Sequence, residues 1–199
     1  MRKSIYLPII PLLVLVACQS ERDNVATNDG DTATRSQTRS QEATRDASRS
    51  LSARAEIEPT EGNRVNGVIR FTEQGDTVRI DGKLTGLEPG AHGFHVHEEG
   101  DCSAQDAKSA GDHFAPEDNP HGSPRDLPGA HHAGDLGNLV AEADGIAEVV
   151  AEDAELQLSG PDSLIGKAVI VHAEQDDFES QPSGDAGARV GCGVIRKDS

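Results

Sequence analysis

The chain has 199 residues with 21 Gly, four Phe, one Tyr and no Trp, and its formal net charge at pH 7 is −17. This length allows one domain plus an additional segment, and the composition predicts many tight turns around a core of aliphatic side chains. Ten basic and 29 acidic residues follow Arg54. A surface this acidic repels nucleic acid and anionic lipid headgroups, which argues against a nucleic-acid partner.

The N-terminus has the features of an export signal. Arg2 and Lys3 precede an apolar run over residues 5–16, which is shorter than the roughly 20 residues that span a bilayer. The run ends in Leu15-Val16-Ala17-Cys18. This ending resembles a bacterial lipoprotein signal, in which the peptide is cut before the Cys and the thiol carries a lipid. The alternative is an ordinary secretory signal followed by an incidental Cys.

We therefore expect residues 1–17 to be a lipoprotein signal peptide and Cys18 to be the lipidation site. Gln19, rather than Asp, follows the Cys, which in lipoprotein sorting resembles an outer-membrane address. The mature protein is then expected outside the cytoplasm, in the periplasm or at the outer membrane, with the lipid on Cys18 as its membrane partner.

Residues 18–54 are predicted to be the lipidated Cys followed by a disordered linker. Large apolar residues are scarce there, and six Arg balance six acidic residues. Such a segment cannot bury enough surface to offset the entropy of ordering it. The folded domain is expected over residues 55–199.

Alternating apolar residues after residue 60 predict a series of short β-strands. The predicted strands cover residues 65–71, 78–84, 93–97, 138–141, 146–151, 167–172 and 193–196. The first two should form a hairpin, as should the two that flank residues 143–145. Short strands at this spacing are typical of an antiparallel sandwich or barrel, so the fold class is all-β with about eight strands.

Two long stretches, residues 98–136 and 173–190, lack a strand pattern. Loops of this length in a compact domain are usually functional or disordered. The histidines favour a functional loop for the first stretch, since most of the histidines lie in it or beside it.

The segment Gly93-Phe94-His95-Val96-His97 could place metal ligands on a strand. Side chains alternate across a strand, so His95 and His97 share one side while Phe94 and Val96 share the other. The alternative is a chance polar face of a half-buried strand. The chain has eight histidines in all: His92, His95, His97, His113, His121, His131, His132 and His172.

A set of histidines with one carboxylate, Asp135, and no thiolates suits copper and zinc. It argues against iron–sulfur clusters and against Cys-type structural zinc sites, and it allows more than one metal.

Cys102 and Cys192 remain as a possible pair once Cys18 is assigned to the lipid. Either they pair, closing a loop of about 90 residues worth roughly 4 to 5 kcal/mol, or they are two free buried thiols.

Six strings of the chain resemble the copper/zinc superoxide dismutase family, in the family's order and at similar spacings, over about residues 63–197. The strings are Gly93-Phe94-His95-Val96-His97-Glu98, Gly111-Asp112-His113-Phe114, His121-Gly122, His132-Ala133-Gly134-Asp135-Leu136-Gly137-Asn138, Val171-His172-Ala173 and Gly187-Ala188-Arg189-Val190-Gly191-Cys192-Gly193-Val194-Ile195. The resemblance implies a Greek-key β-barrel with two long functional loops. It also implies an enzyme that converts superoxide to dioxygen and hydrogen peroxide by alternate reduction and oxidation of copper.

The resemblance also implies the ligands of both metals. The implied copper ligands are His95, His97, His113 and His172. The implied zinc ligands are His113, His121, His132 and Asp135, with His113 as a bridging imidazolate that takes a proton during the reaction. His131 or His132 could supply the zinc ligand, and the spacing to Gly134-Asp135 selects His132. We expect His131 at the surface and His92 as a hydrogen-bonded structural histidine.

Three further roles follow from the resemblance. Asp176 is implied as the carboxylate that links a copper ligand to a zinc ligand and fixes their ring orientation. Arg189 is implied as the arginine that attracts and positions the superoxide anion. A Cys102–Cys192 disulfide would anchor the first loop to the barrel, and the early placement of Cys102 is similar to bacterial members.

One departure from the family concerns the second loop, which has no Lys. Local attraction of superoxide would then rest on Arg189 and the metals. The alternative function is a noncatalytic periplasmic protein that binds copper and zinc on the same fold. The sequence does not determine the oligomeric state, and a homodimer stays open.

Overall fold

The computed structural model describes residues 50–199. The predicted signal peptide, the lipidation site at Cys18 and nearly all of the predicted linker lie outside the described residues. The strands are β1 (Ser52–Pro59), β2 (Asn66–Gln74), β3 (Thr77–Thr85), β4 (Gly90–His97), β5 (Asp135–Ala141), β6 (Ala147–Asp153), β7 (Ala168–His172) and β8 (Arg189–Lys197). A single 3₁₀ turn, Lys108–Ala110, lies between β4 and β5. None of the helical segments in residues 50–199 has the length and apolar character that a membrane crossing requires.

The eight strands form one antiparallel sheet in the order β5-β4-β7-β8-β1-β2-β3-β6. The β3–β4 and β6–β7 connections each cross from one end of this order towards the other, which is the Greek-key pattern. The two end strands, β5 and β6, approach each other through a tight turn in which Glu142 N–H donates to the Ile146 carbonyl at 2.9 Å. The sheet therefore curls into a nearly closed barrel, and the all-β prediction is confirmed.

The predicted hairpin over residues 138–151 is wrong in its pairing. The chain reverses at the expected turn, but β5 pairs with β4 and β6 pairs with β3. Alternation along a strand shows which side chains are buried, whereas it does not show which neighbour supplies the hydrogen bonds. The strands β5 and β6 lie at opposite ends of the strand order and come near each other only because the sheet closes into a barrel.

The alternating pattern predicts no strand before residue 65, yet β1 begins at Ser52, three residues before the expected start of the domain. Ser52 pairs with Thr72 of β2, and Ala53 pairs with Lys197 of β8. The buried side of this part of the strand carries Ala53 and Ala55. Because these side chains are small, the alternation is too weak to separate the strand from the polar segment before it.

The barrel interior is filled mainly by aliphatic side chains with a few Phe. Its fully buried members include Ile69, Phe71, Ile80, Leu84, Val96 and Ile195. Phe94 and Val96 point into this core, as the β4 pattern predicts. The opposite side of β4 is free to carry His95 and His97 beneath the two long connections, residues 98–134 and 173–188.

The disulfide between Cys102 and Cys192 is present. It joins the first long connection to β8, where a second small cluster that contains Ala107, Ala110 and Ile170 packs around Cys192. The disulfide therefore fixes the start of the first loop against the barrel wall.

We expect the double substitution Cys102→Ser and Cys192→Ser to lower the free energy of unfolding by about 4 kcal/mol, because the bridge closes a loop of roughly 90 residues in the unfolded chain. Denaturant unfolding of the metal-free protein measures the effect. Chemical reduction of the unsubstituted protein should give a similar loss, and Cys18→Ser should give none. A loss under about 1 kcal/mol would contradict the expectation.

Candidate metal centre

Strand β4 supplies two histidines, and the first long loop folds back along it to supply a third. Phe114 N–H donates to the Val96 carbonyl at 2.9 Å, and Val96 N–H donates to the Gly134 carbonyl at 2.8 Å. His113 forms an isolated antiparallel bridge with His97. These strand-like contacts carry His113 from a distant part of the loop to the side of His95 and His97.

Four buried histidines form the first group: His95, His97, His113 and His172. One ring nitrogen from each lies within 4.8 Å of the others. Four buried nitrogens of these residues have no hydrogen-bond partner within residues 50–199: His95 Nδ1, His97 Nε2, His113 Nε2 and His172 Nε2.

The second nitrogen of each ring in this group is held by the protein. His97 Nδ1 and His172 Nδ1 lie 2.9 Å and 3.2 Å from the Gly111 and Gly187 carbonyl oxygens. His95 Nε2 lies 2.7 Å from Asp176 Oδ2, and His113 Nδ1 lies 2.7 Å from Asp135 Oδ1. Buried nitrogens are rarely left without a partner. Four rings oriented so that their free nitrogens converge fit a metal that prefers imidazole, such as copper.

The second buried group consists of His113, His121, His132 and Asp135. Around the carboxylate, His113 Nδ1 lies 2.7 Å from Oδ1, His132 Nδ1 lies 3.2 Å from Oδ1, and His121 Nδ1 lies 3.0 Å from Oδ2. Three imidazoles and one carboxylate are a suitable ligand set for zinc. His113 belongs to both groups, with Nε2 in the first and Nδ1 in the second.

Asp176 connects the two groups from the second long loop. Its Oδ2 lies 2.7 Å from His95 Nε2, and its Oδ1 lies 2.9 Å from His121 Nε2. The Asn138 amide fixes the backbone of Asp176 with two hydrogen bonds of 2.8 and 2.9 Å. One buried carboxylate thus orients a ring from each group.

Three rings of the first group, His97, His113 and His172, are neutral at neutral pH. Burial, together with the neighbouring histidines, lowers the pKa of His97 to about 2, that of His172 to about 3 and that of His113 to about 4. Asp135 partly opposes the shift at His113 through a hydrogen bond. A neutral imidazole is the form that binds metals, so these rings need not release a proton first at neutral pH.

The second group carries charge instead. Burial disfavours the charged form of His121, but hydrogen bonds to Asp135 and Asp176 outweigh burial and raise its pKa to about 9. Burial also opposes ionisation of Asp135 and Asp176, yet hydrogen bonds from the surrounding histidines lower the pKa of both carboxyls well below the usual range. Both carboxyls are therefore ionised, and Asp135 is the one that belongs to a candidate metal group.

A cleft of about 420 Å³ opens onto the first group and is lined by His97, His113, His172 and Arg189. The Arg189 guanidinium donates from Nη1 to the Ala107 carbonyl at 2.8 Å and from Nη2 to the Gly111 carbonyl at 2.7 Å. Because both acceptors are neutral, these bonds fix the guanidinium in place without cancelling its charge. Three acidic residues also line the cleft: Glu98, Asp112 and Asp118.

The expectation that His131 lies at the surface is wrong, since the residue is only 4 % exposed. Its Nδ1–H donates to the His132 carbonyl at 2.8 Å, and its Nε2 lies 3.1 Å from Glu155 Oε2. Glu155 belongs to the connection between β6 and β7, and no pattern in the sequence places that connection over the first loop. His92 is hydrogen-bonded as expected, with Nδ1 lying 2.9 Å from the His172 carbonyl oxygen and Nε2 lying 2.7 Å from the Glu88 carbonyl oxygen.

Sequence reasoning assigned no role to Asn138 or Gln181. Asn138 lies in one of the matched strings, whereas Gln181 lies in the second loop with no motif around it. Both side-chain amides hydrogen-bond the backbone of a residue in the centre. Only the folded structure brings these amides to their partners.

Comparisons with known proteins agree with this geometry. The family model for copper/zinc superoxide dismutase (SODC) matches residues 65–195. The extracellular superoxide dismutase [Cu-Zn] of Brugia pahangi is 43% identical over 156 residues, which are 74% of this chain and 76% of the relative. Superoxide dismutase [Cu-Zn] 2 of Mesembryanthemum crystallinum is 47% identical over 140 residues, 67% of this chain and 88% of the relative.

Among solved structures, the crystal structure of the clock protein EA4 superposes with a TM-score of 0.66 at 42% sequence identity. The match covers 73% of this chain and 93% of that chain. The sequence match spans most of the barrel and all of the residues in the two buried groups. The chain therefore belongs to the copper/zinc superoxide dismutase family.

Proposed function

We propose that this protein is a superoxide dismutase that binds copper and zinc and converts superoxide to dioxygen and hydrogen peroxide. The observation that carries the proposal is the shared ring of His113, whose two nitrogens face two different buried ligand groups. Both relatives described above are named as copper/zinc superoxide dismutases, which supports the same activity. A protein that only stores metals has no need for one ring to serve two sites beneath an open cleft.

The proposed copper ligands are His95, His97, His113 and His172, and the proposed zinc ligands are His113, His121, His132 and Asp135. Copper, when bound, supplies one-electron redox chemistry, and zinc supplies a fixed positive charge without redox change. The assignment follows ligand chemistry, since the first group is all imidazole and the second includes a carboxylate.

The remaining steps belong to residues of the chain. Arg189 is held by carbonyls at the cleft, so its charge can attract and orient the superoxide anion. His113 can hold a proton at Nε2 and pass it on to the reduced product. Asp176 accepts hydrogen bonds from His95 and His121 and keeps their other nitrogens directed at the two groups. Each of these roles uses a contact of the folded protein.

We also propose that the protein is a lipoprotein of bacterial type, anchored outside the cytoplasm through Cys18. The ending Leu15-Val16-Ala17-Cys18 supports the anchor. The Cys102–Cys192 disulfide supports an oxidising compartment, since such bonds are rare in the cytosol. The Brugia pahangi relative is named as an extracellular superoxide dismutase, which supports a location outside the cytoplasm. Residues 1–17 would be the signal peptide, and the residues from Cys18 up to the start of β1 at Ser52 would be a tether.

Protein loaded with both metals should remove superoxide, and selective removal of copper should abolish that activity while zinc remains bound. The reason is that only copper changes oxidation state. A superoxide-removal assay with metal analysis on the same sample tests this, with chelator present to suppress free copper and zinc-only protein as the control. Full metal loading without superoxide removal would instead favour the noncatalytic metal-binding protein.

We expect the rate of superoxide removal to fall as salt concentration rises, and Arg189→Gln to lower the rate at low salt by about tenfold and to flatten its salt dependence. Arg189 is the cation that the cleft presents to an anionic substrate. Arg196→Gln removes an exposed charge of β8 and is the matched control, expected to change the rate little. If the rate rises with salt, the acidic surface dominates and the role of Arg189 is contradicted.

Cys18→Ser should move the protein from the membrane fraction to the soluble fraction of the cells that make it, because the lipid would be lost. Fractionation followed by immunodetection measures the change. The released variant should keep its superoxide-removing activity, which separates loss of the anchor from misfolding. Unchanged fractionation would reject the anchor.

A further inference from the structure

The side-chain amide of Gln181 pairs with the backbone of His121 at both of its polar groups. Gln181 Oε1 accepts a hydrogen bond from His121 N–H at 2.9 Å, and Gln181 Nε2 donates to the His121 carbonyl at 2.8 Å. The two residues are 60 positions apart in the chain. Rotating the amide by half a turn would set like groups against each other, so the pair of bonds fixes its orientation.

These two hydrogen bonds take the place of the backbone hydrogen bonds that a neighbouring strand would make with His121. His121 lies in an irregular part of the first loop, outside every strand and helix. Within residues 50–199, its N–H and carbonyl make no hydrogen bond to another backbone group. Gln181 therefore supplies both partners that residue 121 lacks, as a neighbouring strand would.

The ring of His121 contacts two carboxylates, and both distances depend on the position of the His121 backbone. Nδ1 lies 3.0 Å from Asp135 Oδ2 in the second group, and Nε2 lies 2.9 Å from Asp176 Oδ1. The ring is buried, with no exposed side-chain surface. A shift of its Cα by a few tenths of an ångström would therefore disturb both contacts.

The second loop encloses His121 from several sides. Asp177 N–H donates to the Gly184 carbonyl at 2.9 Å, which closes this part of the loop on itself. Gly184, at a φ of +66°, lies so close that a Cβ there would collide with Asp176 Oδ1 and His121 Nε2. Asp176 and Gly184 thus fix the ring, while Gln181 fixes the main chain of the same residue.

We infer that Gln181 is a positioning residue for His121 and that, through it, the second loop sets the affinity of the second group for zinc. This rests on the proposed function, since it takes the second group to be the zinc site. Gln181 belongs to neither ligand group and does not line the cleft. Its effect on the centre passes through the backbone of His121.

The test compares zinc affinity in three proteins: the unsubstituted chain, Gln181→Ala and Gln181→Glu. Alanine removes both hydrogen bonds. Glutamate keeps the shape and the acceptor for His121 N–H but places a second oxygen against the His121 carbonyl. Gln175→Ala is the matched control, because Gln175 lies in the same loop, is exposed, and makes no side-chain hydrogen bond within the described residues.

Zinc affinity is measured on full-length metal-free protein by competition with a chromophoric chelator. We expect Gln181→Ala to weaken zinc binding by about tenfold and Gln181→Glu by at least as much, the size found for outer contacts of metal ligands. Copper affinity, measured with zinc in excess, should change by less than about twofold. Co²⁺ placed in the zinc site should show altered visible bands in both Gln181 variants and unaltered bands in Gln175→Ala.

The outcomes separate the inference from the function on which it rests. Zinc affinity of Gln181→Ala within twofold of Gln175→Ala overturns the positioning role even if the protein removes superoxide. Equal weakening of both metals, with a matching fall in the melting temperature of the metal-free protein, overturns it in favour of a general structural role. If the unsubstituted protein binds no zinc at the second group, the proposed function and the inference both fail.

Discussion

The ring of His113 is the contact on which the rest of the structure depends. Its two nitrogens face two ligand groups, so a displacement of this ring would disturb both. The loop that carries it must therefore be fixed as firmly as a strand. Backbone hydrogen bonds between Val96 of β4 and both Phe114 and Gly134 provide that rigidity. The Cys102–Cys192 disulfide holds the start of the same loop.

Six histidines and two carboxylates are buried together, and burial disfavours the charged form of each. The two groups meet this electrostatic penalty in different ways. In the first group, His97, His113 and His172 stay neutral, because burial lowers the pKa of each ring. The second group pairs opposite charges, with His121 between Asp135 and Asp176. These three rings are thus ready for a metal, whereas zinc at the second group has to displace a proton from His121.

The domain is acidic, and the substrate of the proposed reaction is an anion. A local positive charge at the cleft opposes this repulsion. It belongs to Arg189, whose guanidinium donates hydrogen bonds to the neutral Ala107 and Gly111 carbonyls and not to a carboxylate. The Gly111 carbonyl also lies against His97 Nδ1. A single backbone oxygen therefore positions both the cation at the cleft and a ring of the first group.

The sequence by itself determined seven of the eight strands, the buried side of β4 and the strings that carry the ligands, because alternation and short motifs are local properties of a chain. Only the tertiary structure decided the pairing of β5 and β6 with other strands, the presence of β1, the burial of His131 under Glu155 and the bonds of Gln181 to His121. Each of these features joins segments that are far apart in the chain, and no pattern in the neighbouring sequence identifies the residues that meet. Their partners are selected by barrel closure and loop packing.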